Sequence, residues 1–251
     1  MKITLQIWRQ PSSDAPGTYK IYQVSDAKPE MTIPELLDRL NDTLVSQGDE
    51  PIAFESDCRE GICGTCGVTV DGRPHGPVPN TTTCKQHLRS FSDGQTVRLE
   101  PFRSAAYPVV RDLIVDRSAL DRVIEAGGFV SVDAGTAPDA DTVQIPHQVA
   151  EDALDFAACI GCGACVAACP NGAGNLFVGA KLAHLALLPH GQQERGRRAQ
   201  SMGEQSEEEF GHCGLFGECA QVCPAGIPLV AVAAVNRERL RAWGRRRKHA
   251  G

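Results

Sequence analysis

The sequence predicts an α+β chain in two parts, a β-grasp unit over residues 1–105 and an all-α unit over residues 106–251. Three observations carry this. Strand-like alternation around one amphipathic helix fills the first hundred residues. The pattern turns helix-rich beyond the stretch Pro101–Pro108. Eleven cysteines fall into three closely spaced groups, one in the first part and two in the second.

Ile3, Leu5 and Ile7 alternate with Lys2, Thr4 and Gln6, the period of a half-buried strand. Pro11–Gly17 is turn material, and Tyr19–Val24 returns as a second strand. Thr32 followed by Glu35 spells a capping box, with Pro34 in the first turn. Leu36, Leu37, Leu40, Leu44 and Val45 are expected on the apolar stripe of the helix it opens, and Gly48 closes that helix. Val68–Val70 followed by Asp71-Gly72 reads as a hairpin, and Val97 and Leu99 begin a further strand. In the second part Leu113, Leu120, Val123 and Ile124 suggest one helix. Ser131–Pro146 reads as an exposed loop, and helices are expected within Ala150–Ala158, Leu176–Leu188 and Leu229–Trp243.

The 251 residues are 42% apolar with a net charge of −6, ordinary for one large or two modest globular domains. The acidic run Glu204 and Glu207–Glu209 contrasts with a basic C-terminus of Arg237, Arg239, Arg241, Arg245–Arg247 and Lys248. Such a tail suits either an anionic bilayer surface, at about 1 kcal/mol per basic residue, or a solvated helix end. The acidic balance and the lack of an aromatic-basic platform argue against nucleic acid. No stretch approaches the roughly 20 apolar residues of a membrane span, and the N-terminus lacks the apolar core of a signal peptide. The chain is therefore expected to stay in the cytosol and not to span a bilayer by itself.

An odd cysteine count at two- and three-residue spacings argues against disulfides and for metal ligation. Cys58, Cys63 and Cys66 have the spacing C-x4-C-x2-C, and Cys84 follows, the plant-type pattern for a [2Fe–2S] cluster. Gly61, Gly64 and Gly67 let such a loop turn its sulfurs inward and bring N–H groups close to them. Arg59 either helps to hold the loop or is solvated. A structural zinc site pairs two short clips, which this spacing fits poorly.

Cys159, Cys162, Cys165 and Cys169, followed by Pro170, form the bacterial ferredoxin run C-x2-C-x2-C-x3-C-P. Cys213, Cys219 and Cys223, followed by Pro224, keep that frame, with Phe216 in place of its second cysteine. In two-cluster proteins the fourth cysteine of each run ligates the other cluster. Crossed in this way, Cys159, Cys162, Cys165 and Cys223 hold a [4Fe–4S] cluster. Cys169, Cys213 and Cys219 hold a second, which lacks one corner because phenylalanine cannot bind iron, so a [3Fe–4S] cluster is expected. The alternative is a fourth iron completed by His212 or water.

This order of domains resembles the iron–sulfur subunit of succinate dehydrogenase and fumarate reductase. The segments that carry the resemblance are Cys58–Gly67, Tyr107–Asp116 and the two later cysteine motifs. It implies an electron-transfer subunit, with succinate chemistry on a partner flavoprotein that holds FAD. It also implies a quinone, expected to be menaquinone, at the interface with a membrane anchor that holds the chain on the cytoplasmic face of the cell membrane. By position, Pro170, Phe216 and His212 are candidate quinone neighbours. The chain departs from many relatives here. No tryptophan follows Pro170 within Asn171–Asn175, and Gly214 stands where a histidine is common. Fumarate reduction by the same subunit and a free multi-cluster ferredoxin are the competing functions.

Overall fold

The computed structural model describes residues 1–131, 144–188 and 194–249, with side chains to residue 244. Most of the expected loop over Ser131–Pro146, and the side chains of Arg245–Arg247 and Lys248, lie outside the described residues.

Strand β1 (Ile3–Arg9) alternates buried and half-buried positions and is an inner strand of a mixed sheet. On one side it pairs antiparallel with β2 (Thr18–Val24), placing Ile3 opposite Val24. On the other it pairs parallel with β5 (Thr96–Glu100), placing Leu5 opposite Val97. The short β3 (Thr69–Val70) and β4 (Arg73–Pro74) extend the sheet to the order β2-β1-β5-β3-β4. Asp71 and Gly72 between them both have positive φ, as a type I′ hairpin requires.

Helix α1 (Ile33–Ser46) covers this sheet with Ile33, Leu36, Leu37, Leu40 and Leu44 buried. The Thr32 N–H donates to the Glu35 carboxylate at 2.6 Å, which holds that acid below the usual carboxylate range. Val45 does not join the stripe. It lies about 100° of helix rotation past Leu44 and is 61% exposed.

The expected helix near Leu113 begins later, because the chain first makes a second hairpin, β6 (Val109–Arg111) and β7 (Ile114–Val115). Asp112 at its turn is buried with φ +47. Its carboxylate accepts from the N–H groups of Gln10 at 2.8 Å and Ala53 at 2.9 Å and pairs with Arg9 at 3.1 Å. These bonds pin the connector to the sheet, and Leu113 packs into the sheet's core. Helix α2 (Ser118–Glu125) follows.

The remaining helices are α3 (His147–Ala157), α4 (Ala164–Ala168), α5 (Asn175–Leu187), α6 (Arg195–Glu209), α7 (Glu218–Gln221) and α8 (Ala231–His249). Helix α5 is apolar nearly all round and passes through the second core, with Leu176, Phe177, Val178 and Leu182 buried. It meets α8 so closely that a Cβ on Gly179 would sit 2.0 Å from the Ala231 carbonyl oxygen. Helix α8 begins at Ala231, inside the expected stretch, and its backbone runs on beyond Trp243 to His249. Sequence periodicity missed α6. Its buried face is made of Arg198, Ala199, Met202, Gly203 and Ser206, which have helical spacing but little hydrophobicity. It is fastened to α8 by Arg195 on the buried Glu238, at 2.8 Å. None of the described helices is long and apolar enough to cross a membrane.

Candidate metal centres

The first centre is built on a loop under the sheet. Left-handed φ values at Arg59, Gly61 and Gly64 fold it back on itself, and the turn Thr83–Lys85 presents Cys84 from the neighbouring segment. N–H groups then point at sulfur. Glu60 and Cys63 donate to the Cys58 Sγ at 3.3 and 3.4 Å. The Thr65 hydroxyl donates to the Cys63 Sγ at 2.9 Å, and the Thr82 hydroxyl lies 3.2 Å from the Cys84 Sγ. The backbone donor at Glu60, with others, pulls the Cys58 thiol down to about 6, favouring thiolate. Burial, reinforced by neighbouring Cys84, pushes the Cys66 thiol up to about 12. Arg59 pairs with Asp38 of α1 at 2.7 Å and so ties the loop to that helix, though both partners are well exposed. A pair in that setting adds little stability.

The second centre is a cavity with about 340 Å³ of open space, including its mouth. Cys159, Cys162, Cys165 and Cys223 line it among the apolar side chains of Ile160, Leu176, Phe177 and Ile227. The first three come from the loop that enters α4, and Cys223 comes from the far motif after α7. Burial pushes the Cys162 thiol up to about 12 and the Cys165 thiol further in the same direction. Lys181 of α5 donates to the Cys159 carbonyl at 3.2 Å.

The third centre is a larger cavity, with about 460 Å³ of such space. Cys169, Cys213 and Cys219 line it together with Leu215, Phe216 and Leu229. Phe216 occupies its wall and remains 55% exposed. Pro170 and His212 are exposed on the adjoining segments but do not line this cavity. The His212 carbonyl accepts from the Asn171 side chain at 3.0 Å.

These sites suit iron–sulfur clusters chemically. All eleven cysteines are free, thiolate is the cluster ligand, and N–H or hydroxyl donors reach sulfur at the first centre. The buried thiols of the second centre are poor acids alone, so the positive charge of bound iron would be what makes them thiolates.

Sequence reasoning missed Arg117, which bridges the first two centres. Its Nη1 donates to the Gly64 carbonyl at 2.7 Å and to the Cys162 carbonyl at 3.0 Å. Its Nη2 donates to the Thr65 carbonyl at 3.2 Å and to Glu55 at 2.9 Å. A lone arginine that caps backbone carbonyls leaves no periodic signal. Its place directly after Asp116, at the end of a segment already singled out, was the available hint.

Comparison with known proteins agrees with this architecture. The family described as "2Fe-2S iron-sulfur cluster binding domain" matches residues 4–122, and "4Fe-4S dicluster domain" matches residues 158–227. The succinate dehydrogenase iron-sulfur subunit of Bacillus subtilis is 30% identical over 75% of this chain and 72% of its own length. The fumarate reductase iron-sulfur subunit of Wolinella succinogenes is 26% identical over 95% of this chain and 97% of its own. Among solved structures, a chain titled Mycobacterium smegmatis Sdh1 complex in the apo form aligns with a TM-score of 0.68 at 21% identity. The alignment covers 97% of this chain and 96% of that one, and it speaks for the fold. With two ligand-rich centres in the helical part, a third under a mixed sheet, and relatives of both names, the chain belongs to the family of iron–sulfur electron-transfer subunits of succinate dehydrogenase and fumarate reductase.

Proposed function

We propose that this chain conducts electrons from the FAD of a flavoprotein partner to a membrane quinone, in the direction of succinate oxidation to fumarate. The first unit, residues 1–105, holds [2Fe–2S] on Cys58, Cys63, Cys66 and Cys84. The second, residues 106–251, holds [4Fe–4S] on Cys159, Cys162, Cys165 and Cys223, and [3Fe–4S] on Cys169, Cys213 and Cys219. When bound, the clusters supply one-electron redox chemistry. The protein fixes their spacing, their hydrogen bonds and their access to solvent.

The observation that carries this reading is the exchange of cysteines between motifs. Cys223 lines the cavity of Cys159, Cys162 and Cys165, whereas Cys169 lines that of Cys213 and Cys219. Phe216 fills the third cavity's wall where the frame would place a fourth thiol. Around that cavity Leu215, Phe216, Leu229 and Val230 are 79%, 55%, 48% and 59% exposed. An apolar rim beside the last centre supports docking on a membrane anchor with quinone, expected to be menaquinone, at the junction. Pro170 and His212 border that face.

Purification from membranes tests the proposal, with EPR and succinate-to-quinone and quinol-to-fumarate assays on one sample. The expected result is a complex with a flavoprotein and an anchor, three cluster signals including a near-isotropic three-iron signal, and faster succinate oxidation. A cluster-loaded monomer that stays soluble and alone would point instead to a free ferredoxin. Faster fumarate reduction would reverse the assigned direction.

A further inference from the structure

We infer that Arg117 is a positioning residue that closes the electron path between the first and second centres. The inference rests on the ligand sets proposed above. Three carbonyls from two separate ligand loops converge on one guanidinium, those of Gly64 and Thr65 on one side and Cys162 on the other, at 2.7–3.2 Å. The side chain is only 17% exposed, so these charge-assisted bonds form largely out of water, where they are strongest. A planar fork with fixed donors holds two loops at one spacing, which a lysine ammonium cannot do.

The loops that Arg117 clamps are already in backbone contact. Gly64 has φ +75, and a Cβ there would lie 2.7 Å from the Ile160 carbonyl oxygen and 3.1 Å from the Cys162 Cα. Gly64 follows the ligand Cys63 and abuts the ligand Cys162, so the covalent path from one ligand to the other is broken only by this contact. A second device holds the same loop from behind. The Tyr107 hydroxyl donates to the Gly163 carbonyl at 3.4 Å, and a Cβ on Gly163 would sit 2.6 Å from that hydroxyl.

The step served is the transfer of one electron from the reduced first centre to the oxidised second, with no bond made or broken. Its rate falls steeply with the gap, which Arg117 holds shut. The same positive charge stabilises an added electron at both centres. Glu55, which is 38% exposed, offsets that charge only in part.

The test uses the intact complex from membranes, with Arg117→Met and Arg117→Lys. It reads iron and sulfide content, the EPR spin–spin interaction between the two centres when both are reduced, and their midpoint potentials. Arg117→Met is expected to weaken the interaction and to make reduction of the second centre about tenfold less favourable, 59 mV for a one-electron couple. Arg117→Lys is expected to restore the potential but not the full interaction. A loaded Arg117→Met complex with wild-type interaction and potential overturns the clamp alone. If Arg117→Met fails to load, a loaded Arg117→Lys complex with the wild-type interaction overturns it equally. A wild-type complex without these signals overturns the ligand sets and the clamp with them.

Discussion

Gly64→Ala puts a close backbone contact between the two units under direct strain. Two costs add. The residue has φ +75, where a side chain costs roughly 1–2 kcal/mol. The new methyl group would lie 2.7 Å from the Ile160 carbonyl oxygen and 3.1–3.2 Å from Cys162 backbone atoms, inside the 3.4–4 Å of ordinary contact. Those neighbours are backbone, so no side chain can rotate away, and overpacking of this kind costs about 1–3 kcal/mol. A total near 3 kcal/mol lowers the melting temperature by roughly 6–12 °C for a chain of this size. Relief requires the Cys63–Cys66 loop to retreat from the Ile160–Cys162 loop, so the widened gap falls where electrons pass. Thermal unfolding and EPR of the same cluster-loaded sample measure both effects. A melting temperature within a degree of wild type, with the spin–spin interaction intact, would refute the reasoning.

Other residues give independent tests. Phe216→Cys is expected to abolish the three-iron signal and lower the potential of the third centre. The stability cost is about 1–2 kcal/mol because the ring is only half buried, and persistence of the signal would break the proposed ligand frame. Thr65→Val removes the hydroxyl bond to the Cys63 Sγ and should lower the first centre's potential by roughly 50 mV, about 1 kcal/mol of lost stabilisation of the reduced form; an unchanged potentiometric titration would contradict it. Burial, aided by the charge of Arg117, pulls His75 down to about 4. The unfolded chain therefore binds a proton that the fold excludes, and stability falls as pH drops from 6.5 toward 4, by up to about 3 kcal/mol. His75→Asn keeps an acceptor for the Thr83 N–H and should flatten that part of the stability-versus-pH curve, so parallel curves for the two proteins would exclude His75 as the cause.

Local chemistry was legible in the sequence because it is local. The capping box at Thr32 and the turn at Asp71-Gly72 each depend on a few adjacent residues, and each appears where the pattern put it. What escaped depends on partners distant in the chain. Helix α6 buries small and polar residues against α8, so its apolar signal is faint. The β6–β7 hairpin exists because Asp112 finds donors at Gln10 and Ala53. Arg117 acquires meaning only when Gly64 and Cys162 meet. Val45 shows the converse, an apolar residue in a run whose helical phase turns it to solvent.

The burial of the cysteines bears on the order of the proposed path. Three of the second centre's four cysteines, Cys162, Cys165 and Cys223, are buried and Cys159 is partly open, whereas the first centre has two buried (Cys66, Cys84) and two partly open (Cys58, Cys63), and all three cysteines of the third are partly open. A relay needs its ends reachable by partners and its middle shielded. Each exposed end also carries an uncovered apolar side chain, Ile62 at 66% beside the first centre and Leu215 at 79% beside the third. Exposing such groups in isolation gains nothing for the fold, since burying each would stabilise it by about 1.5–3 kcal/mol. Their placement at the two ends, and not over the middle, is the arrangement expected if separate partners cover them, with electrons entering at the Cys58 loop and leaving past Phe216.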